Sequence, residues 1–145
     1  MKSDDPQEVR LLLVEDSPAD VYLVREAMQW EGLNFCLEVA DNGETAIQIL
    51  NRVDADAQEP PPNLLLVDLN VPRKDGTEVL DRLRRSPRFG RIPVIMISSS
   101  DSPRDRRRAL DLGVTEYFLK PSSLTEFMSL GKIVRRLIES YPNAA

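Results

Sequence analysis

Apolar residues in this chain gather into short continuous runs, separated by stretches in which they recur every three or four positions. Leu64–Val67 is too short for a helix and too continuously apolar for a half-exposed strand. It therefore predicts a strand buried on both faces, as in a parallel sheet. Val9–Val14 is a second such run, broken only by Arg10, and Phe35–Ala40, Ile92–Ile97 and the short Glu116–Leu119 complete five predicted strands. Between them lie helix signals. Ser17-Pro18-Ala19-Asp20 supplies a serine cap, a proline at the first helical position and an acid in the first turn, followed by Val21, Val24 and Met28 at helical spacing. Asn42-Gly43 turns into a short helix carrying Ala46, Ile47 and Leu50, and Asp75-Gly76 into one with Val79, Leu80 and Leu83 on one side. Ser102-Pro103 opens an arginine-rich helix that Gly113 closes. Ser123 and Glu126 form a capping box for a last helix with the stripe Leu124, Phe127, Met128, Gly131, Val134 and Ile138. Val53–Asn63, with Pro60-Pro61-Pro62, reads as a long surface loop. Five strands alternating with five helices predict an α/β fold, a parallel sheet with helices on both faces.

The 145 residues suffice for one domain with a single core, and no second domain is expected. No apolar run approaches the roughly 20 residues that span a bilayer, and the acidic N-terminus is not a leader, so a cytoplasmic protein without a membrane partner is expected. Cys36, the single cysteine, excludes an internal disulfide and is expected to fill core space. A net charge of −5 gives no electrostatic case for nucleic acid. The absence of histidine excludes a histidine general base, a Ser-His-Asp or Cys-His site, and histidine metal ligands within the chain. No glycine-rich phosphate loop is present.

Chemistry concentrates at the carboxyl ends of the predicted strands, where open α/β sheets bind ligands. Glu15 and Asp16 follow the first strand in the chain, Asp68 ends the Leu64 strand, Ser98 the Ile92 strand and Lys120 the last. Three carboxylates gathered there repel one another unless a cation sits among them, and hard oxygen ligands select Mg²⁺ or a similar ion such as Mn²⁺. The Asp68 carboxylate can attack a phosphoryl group in line while the metal and the Lys120 ammonium neutralise the gathering charge. A hydroxyl at Ser98 is placed to bond a phosphoryl oxygen, and Asn70 to offer a backbone carbonyl to the metal.

Glu15-Asp16, Asp68 within Asp-Leu-Asn-Val-Pro, Asp75-Gly76, Ser98 after an apolar strand, and Lys120-Pro121 together resemble the receiver domain of two-component response regulators, from about Val9 to Glu139. The resemblance implies a flavodoxin-like (βα)5 fold with strand order 2-1-3-4-5. It implies a domain over 9–140 with tails at 1–8 and 141–145 and no output domain. It further implies Mg²⁺ on Glu15, Asp16, Asp68 and the Asn70 carbonyl, and phosphorylation of Asp68 by a sensor histidine kinase. Lys120, Ser98 and Ser99 would contact the phosphoryl group, with Tyr117 as the aromatic switch and Pro72, Gly76 and Pro121 as structural turns. The Lys-Pro bond is usually cis in that family. Glu15 replaces the commoner aspartate and Ser98 the commoner threonine, and neither change removes a required oxygen. Ser-Pro-Ala-Asp-Val-Tyr-Leu-Val, Asp-Leu-Asn-Val-Pro-Arg-Lys-Asp-Gly and the long loop before the central strand are similar to the single-domain regulators paired with phytochrome-type kinases. That likeness implies a homodimer through the face of the fourth helix, last strand and fifth helix. Arg104, Arg106, Arg107 and Arg108 lie on that face, either as a solvated surface or as a contact for an acidic partner.

Three other readings share parts of this pattern. An aspartate-nucleophile phosphatase of the haloacid dehalogenase type needs a second aspartate two residues after the nucleophile, where this chain has Asn70, which cannot protonate a leaving group. A flavodoxin-like flavin protein needs a hydroxyl-rich phosphate loop after the first strand, where Glu15-Asp16 would repel the phosphate. A degenerate receiver acting as a phosphorylation-independent scaffold is opposed by the intact acid, lysine and serine set.

Overall fold

The computed structural model describes residues 8–141, so nearly all of the two expected tails lies outside the described residues. Five parallel strands, β1 (Val9–Val14), β2 (Phe35–Ala40), β3 (Leu64–Asp68), β4 (Val94–Ser98) and β5 (Glu116–Leu119), form one sheet in the order β2-β1-β3-β4-β5. The helices are α1 (Pro18–Trp30), α2 (Gly43–Ala55), α3 (Gly76–Arg84), α4 (Pro103–Asp111), the single turn α5 (Leu124–Phe127) and α6 (Ser129–Ser140).

The apolar runs are continuous because both sheet faces are covered, and successive side chains of a strand point to opposite faces. Leu12, Val14, Leu65, Val67, Val94 and Met96 pack in one core with residues of α2, α3 and α4. Leu11, Leu13, Leu64, Leu66, Ile95, Ile97 and Phe118 pack in the other with α1, α5 and α6. Glu15, Asp68 and Lys120 continue the odd row of β1 and the even rows of β3 and β5, so all three extend rows that belong to the second face. Backbone pairing carries that register past the strands. The Glu15 N–H donates to the Ala40 carbonyl at 2.9 Å, and that of Lys120 to the Ser98 carbonyl at 2.7 Å.

Three sequence expectations change. Cys36 is exposed, because β2 is an edge strand whose buried and exposed positions alternate, leaving Cys36 and Glu38 outside the packed face. The second helix is not short: it runs to Ala55 and buries Val53, which removes Val53–Ala55 from the loop. The last helix is split at Met128, where Gly131 N–H bonds the Met128 carbonyl in a tightened turn. That break leaves Leu124 exposed, while Phe127, Leu130, Gly131, Val134 and Leu137 make the buried stripe. Ser123 Oγ does cap the Glu126 N–H. The Lys120–Pro121 bond, whose isomer the sequence leaves open, is trans, as is every peptide bond among the described residues.

Candidate phosphoryl and metal site

The carboxyl ends of β1, β3 and β5 bring Glu15, Asp68 and Lys120 together as the row argument requires. The Lys120 ammonium donates to Asp68 Oδ2 at 2.7 Å, to Glu15 Oε1 at 3.0 Å and to Asp20 Oδ2 at 2.7 Å. Carboxylate oxygens of Glu15, Asp16 and Asp68 all lie within 4.8 Å of one another. Glu15 is buried and Asp16 is exposed, so the cluster opens from a dry floor to a wet rim. This donor set, three carboxylates and no nitrogen or sulfur, fits a hard divalent ion such as Mg²⁺ or Mn²⁺.

Charge balance governs the two buried members. Burial pushes the Glu15 carboxyl up to about 7, with the Asp68 charge adding to the rise and the Lys120 hydrogen bond opposing it. Burial also opposes the Lys120 charge, but the hydrogen bonds it donates to Asp20, Asp68 and Glu15, in that order, more than offset it and raise its pKa above the ordinary lysine value.

The other expected residues take distinct places. Asn70 is exposed and donates its backbone N–H to Asp68 Oδ1 at 2.8 Å, which orients the carboxylate. Ser98 is buried at the end of β4, with its Oγ accepting the Ser100 N–H at 3.0 Å and its hydroxyl proton left to donate. Ser99 is exposed. The Tyr117 hydroxyl donates to the Ser100 carbonyl at 2.7 Å, and the Arg106 guanidinium stacks over its ring at 4.8 Å. Pro121 is half-buried directly after Lys120.

Gly76 is required by close approach: a Cβ there would stand 2.9 Å from the Asp68 carbonyl oxygen. The loop before it is pinned from α2. Gly43 and Glu44 donate their N–H groups to the carbonyls of Pro72 at 3.0 Å and Arg73 at 2.8 Å, which holds Arg73 and Lys74 at φ +50° and +67°. A Cβ at Gly43 would collide with the Lys74 carbonyl.

Sequence reasoning missed Asp20 as a partner of Lys120 and Gly43 as the support of the Asp68 loop. The signal for Asp20 was present, an acid in the first turn of the helix that starts at the site's rim. That for Gly43 was not, because the residue it meets is 31 positions away in sequence.

The response regulator receiver domain family model matches residues 11–131. Response regulator Rcp1 of Synechocystis sp. is 35% identical over 120 residues, covering 83% of this chain and 82% of its own length. The phosphorylated cyanobacterial phytochrome response regulator RcpA superposes with a TM-score of 0.76 at 32% identity, covering 95% of this chain and 96% of that one. The Mn²⁺-bound form of Rcp1 gives 0.74 at 34% identity, covering 92% and 93%. The 2-1-3-4-5 sheet, the acid and lysine cluster at its carboxyl edge and a match running from β1 into α6 agree, and the chain belongs to the response regulator receiver domain family.

Proposed function

We propose that Asp68 accepts a phosphoryl group from the phosphohistidine of a sensor histidine kinase, and that the receiver signals through the surface this changes. The observation that carries this reading is the Asp68 carboxylate at a buried strand end, with Lys120 Nζ at 2.7 Å and two further carboxylates converging on it. An Asp68 oxygen attacks phosphorus, the P–N bond breaks, and the imidazole leaves with the electron pair and takes up a proton; the product is an acyl phosphate. Glu15, Asp16, Asp68 and the Asn70 carbonyl would hold Mg²⁺, which supplies neutralising charge for the phosphoryl oxygens. Lys120 adds the second cation, and the Ser98 hydroxyl the hydrogen bond. The same groups serve hydrolysis of the phosphoaspartate, so the domain assists both its own phosphorylation and its own reset. Among the described residues no helix is long and apolar enough to cross a membrane. The likeness to phytochrome response regulators favours a phytochrome-type kinase as donor and a cytoplasmic setting for this receiver.

Residues 9–140 are read as one receiver whose output is a protein contact, with no role for nucleic acid or membrane. Tyr117 links the site to that contact. Its hydroxyl sits on the Ser98-Ser99-Ser100 segment and its ring under Arg106 of α4, so a move of Ser98 toward a phosphoryl group is felt at α4. The face of α4, β5 and the α5–α6 helix also exposes Leu110 and Leu124, which favours a homodimer there.

Intact mass after incubation with Mg²⁺ and a small acyl-phosphate donor tests the reading. Wild type gains one phosphoryl group, chelator abolishes the gain, and Asp68→Asn shows none. No gain in wild type would retract the switch and leave the scaffold reading in its place.

A further inference from the structure

The Lys120 ammonium carries three protons, and three carboxylates take them: Asp20, Asp68 and Glu15. With Asp68 read as the phosphoacceptor, a reading on which this inference rests, two of those acids have other tasks. Asp68 would bond to phosphorus and Glu15 would be a ligand of Mg²⁺, so both would loosen their hold on Lys120 when the site is loaded. Asp20 has neither task. It stands outside the Glu15, Asp16 and Asp68 group, yet its Oδ2 is as near to Nζ as that of Asp68.

Its place is fixed by the start of α1. Pro18 stands at the first helical position, the Asp20 N–H donates to Ser17 Oγ at 3.2 Å, and the Ser17 N–H donates to Glu15 Oε2 at 3.2 Å. One capping turn therefore ties the position of Asp20 to that of Glu15. Because α1 covers the sheet face whose rows end in Glu15, Asp68 and Lys120, its first turn overhangs the lysine. From the other side, the Phe118 ring packs edge-on against Phe127 at 5.5 Å, and the Lys120 backbone is bonded to Ser98, so the root of the side chain is fixed as well. Between root and head lies a four-carbon stem with no rotamer of its own imposed by the sheet. A charge-assisted hydrogen bond at the head selects one.

We propose that Asp20 is a positioning residue for Lys120, the one carboxylate partner that stays on the ammonium through phosphoryl transfer and keeps it aimed at the phosphoryl oxygens. It holds the cation by an oxygen that neither metal nor phosphorus claims, while the protons released by Glu15 and Asp68 turn to the phosphoryl group.

The test compares phosphorylation rates from acetyl phosphate at saturating Mg²⁺, followed by intact mass over hours so that slow rates are counted. The proteins are wild type, Asp20→Ala, Asp20→Asn, Lys120→Ala and the double variants at both positions. Asp20→Ala slows transfer roughly 10-fold, inside the range that misplacing a reacting group costs. Asp20→Asn falls between it and wild type, since an amide oxygen still accepts from the ammonium. In the Lys120→Ala background neither change at Asp20 has a further effect, because residues acting through one another are not additive. A merely structural role would slow both backgrounds alike. Should Asp20→Ala lose its fold by circular dichroism, the Asp20→Asn cycle carries the comparison. Wild-type rates in the Asp20 variants, or equal slowing with and without Lys120, would overturn the proposal while leaving Asp68 as acceptor. No phosphorylation of wild type removes the acceptor reading and this inference with it.

Discussion

The Asp75 carboxylate accepts from the N–H groups of Thr77 at 3.0 Å and Glu78 at 3.2 Å and from the Thr77 hydroxyl at 2.6 Å, and so caps α3 directly behind the Asp68 loop. Partial burial works to raise its pKa, but the Thr77 and Glu78 hydrogen bonds and the Arg108 charge outweigh it and hold the group below the ordinary carboxylate value. A depressed carboxylate stabilises the fold above its unfolded pKa of about 4 and loses that contribution as pH falls through its lower folded value. Asp75→Ala is expected to cost about 1 kcal/mol at pH 7, as loss of a helix cap does, with the gap between wild type and variant closing below about pH 4. Urea unfolding at pH 7 and pH 3 measures it. An equal gap at both would mean that the cap does not act through the ionised form.

At the scale of elements, α4 differs from the other helices longer than a single turn. It buries only Ala109, so packing does little to hold it, and polar contacts fix its place instead. Ser102 Oγ caps the Arg104 and Asp105 N–H groups, the Ser100 hydroxyl donates to Asp105, Arg106 lies over Tyr117, and Arg108 pairs with Asp75 at 3.3 Å. Elements with few buried contacts open at low free energy and are the ones that switches move. Two of the four arginines thus serve the chain itself. Arg104 and Arg107 are exposed and make no ion pair among the described residues, which leaves them for an acidic partner surface. Changing all four to alanine should leave phosphorylation of Asp68 within about twofold and weaken binding of a partner or second protomer severalfold, as rim charges do. Changing Arg104 and Arg107 alone should give most of that loss. Binding measured by titration calorimetry at unchanged affinity would return the run to an ordinary solvated face.

For the molecule as a whole, the sheet gathers the acid and lysine cluster at one edge, and the homodimer reading puts association on one side. Leu110 and Leu124 are 67% and 62% exposed on α4 and α5, unlike nearly every other leucine, and a second copy is the occupant that the homodimer reading assigns to them. Sedimentation velocity should show a dimer in wild type and a shift to monomer in the pair Leu110→Glu and Leu124→Glu, with phosphorylation by acyl phosphate unchanged. A wild type that stays monomeric at high concentration, with and without phosphorylation, would remove the dimer from the account.

What the sequence by itself determined was whatever repeats locally or is limited to a residue type. Continuous apolar runs marked β1, β3 and β4, because burial on two faces forbids alternation, and serine or aspartate caps with proline or glycine marked the starts of α1, α3 and α4. The acids and the lysine at strand ends were legible because parallel strands put their carboxyl ends on one edge. Tertiary structure alone decided which neighbours fill the remaining hydrogen bonds and which strand lies outermost. Cys36 sits in an apolar run yet is exposed, since edge position is a property of strand order and not of the strand. Asp20 read only as part of a helix-start signal until α1 lay across the sheet face that ends in Lys120, and Gly43 as a plain turn until the Asp68 loop came to rest on it. The physical reason is the same in each case: a local pattern encodes the burial of its own residue, whereas a contact across 31 or 100 positions exists only once the core has fixed where both elements stand.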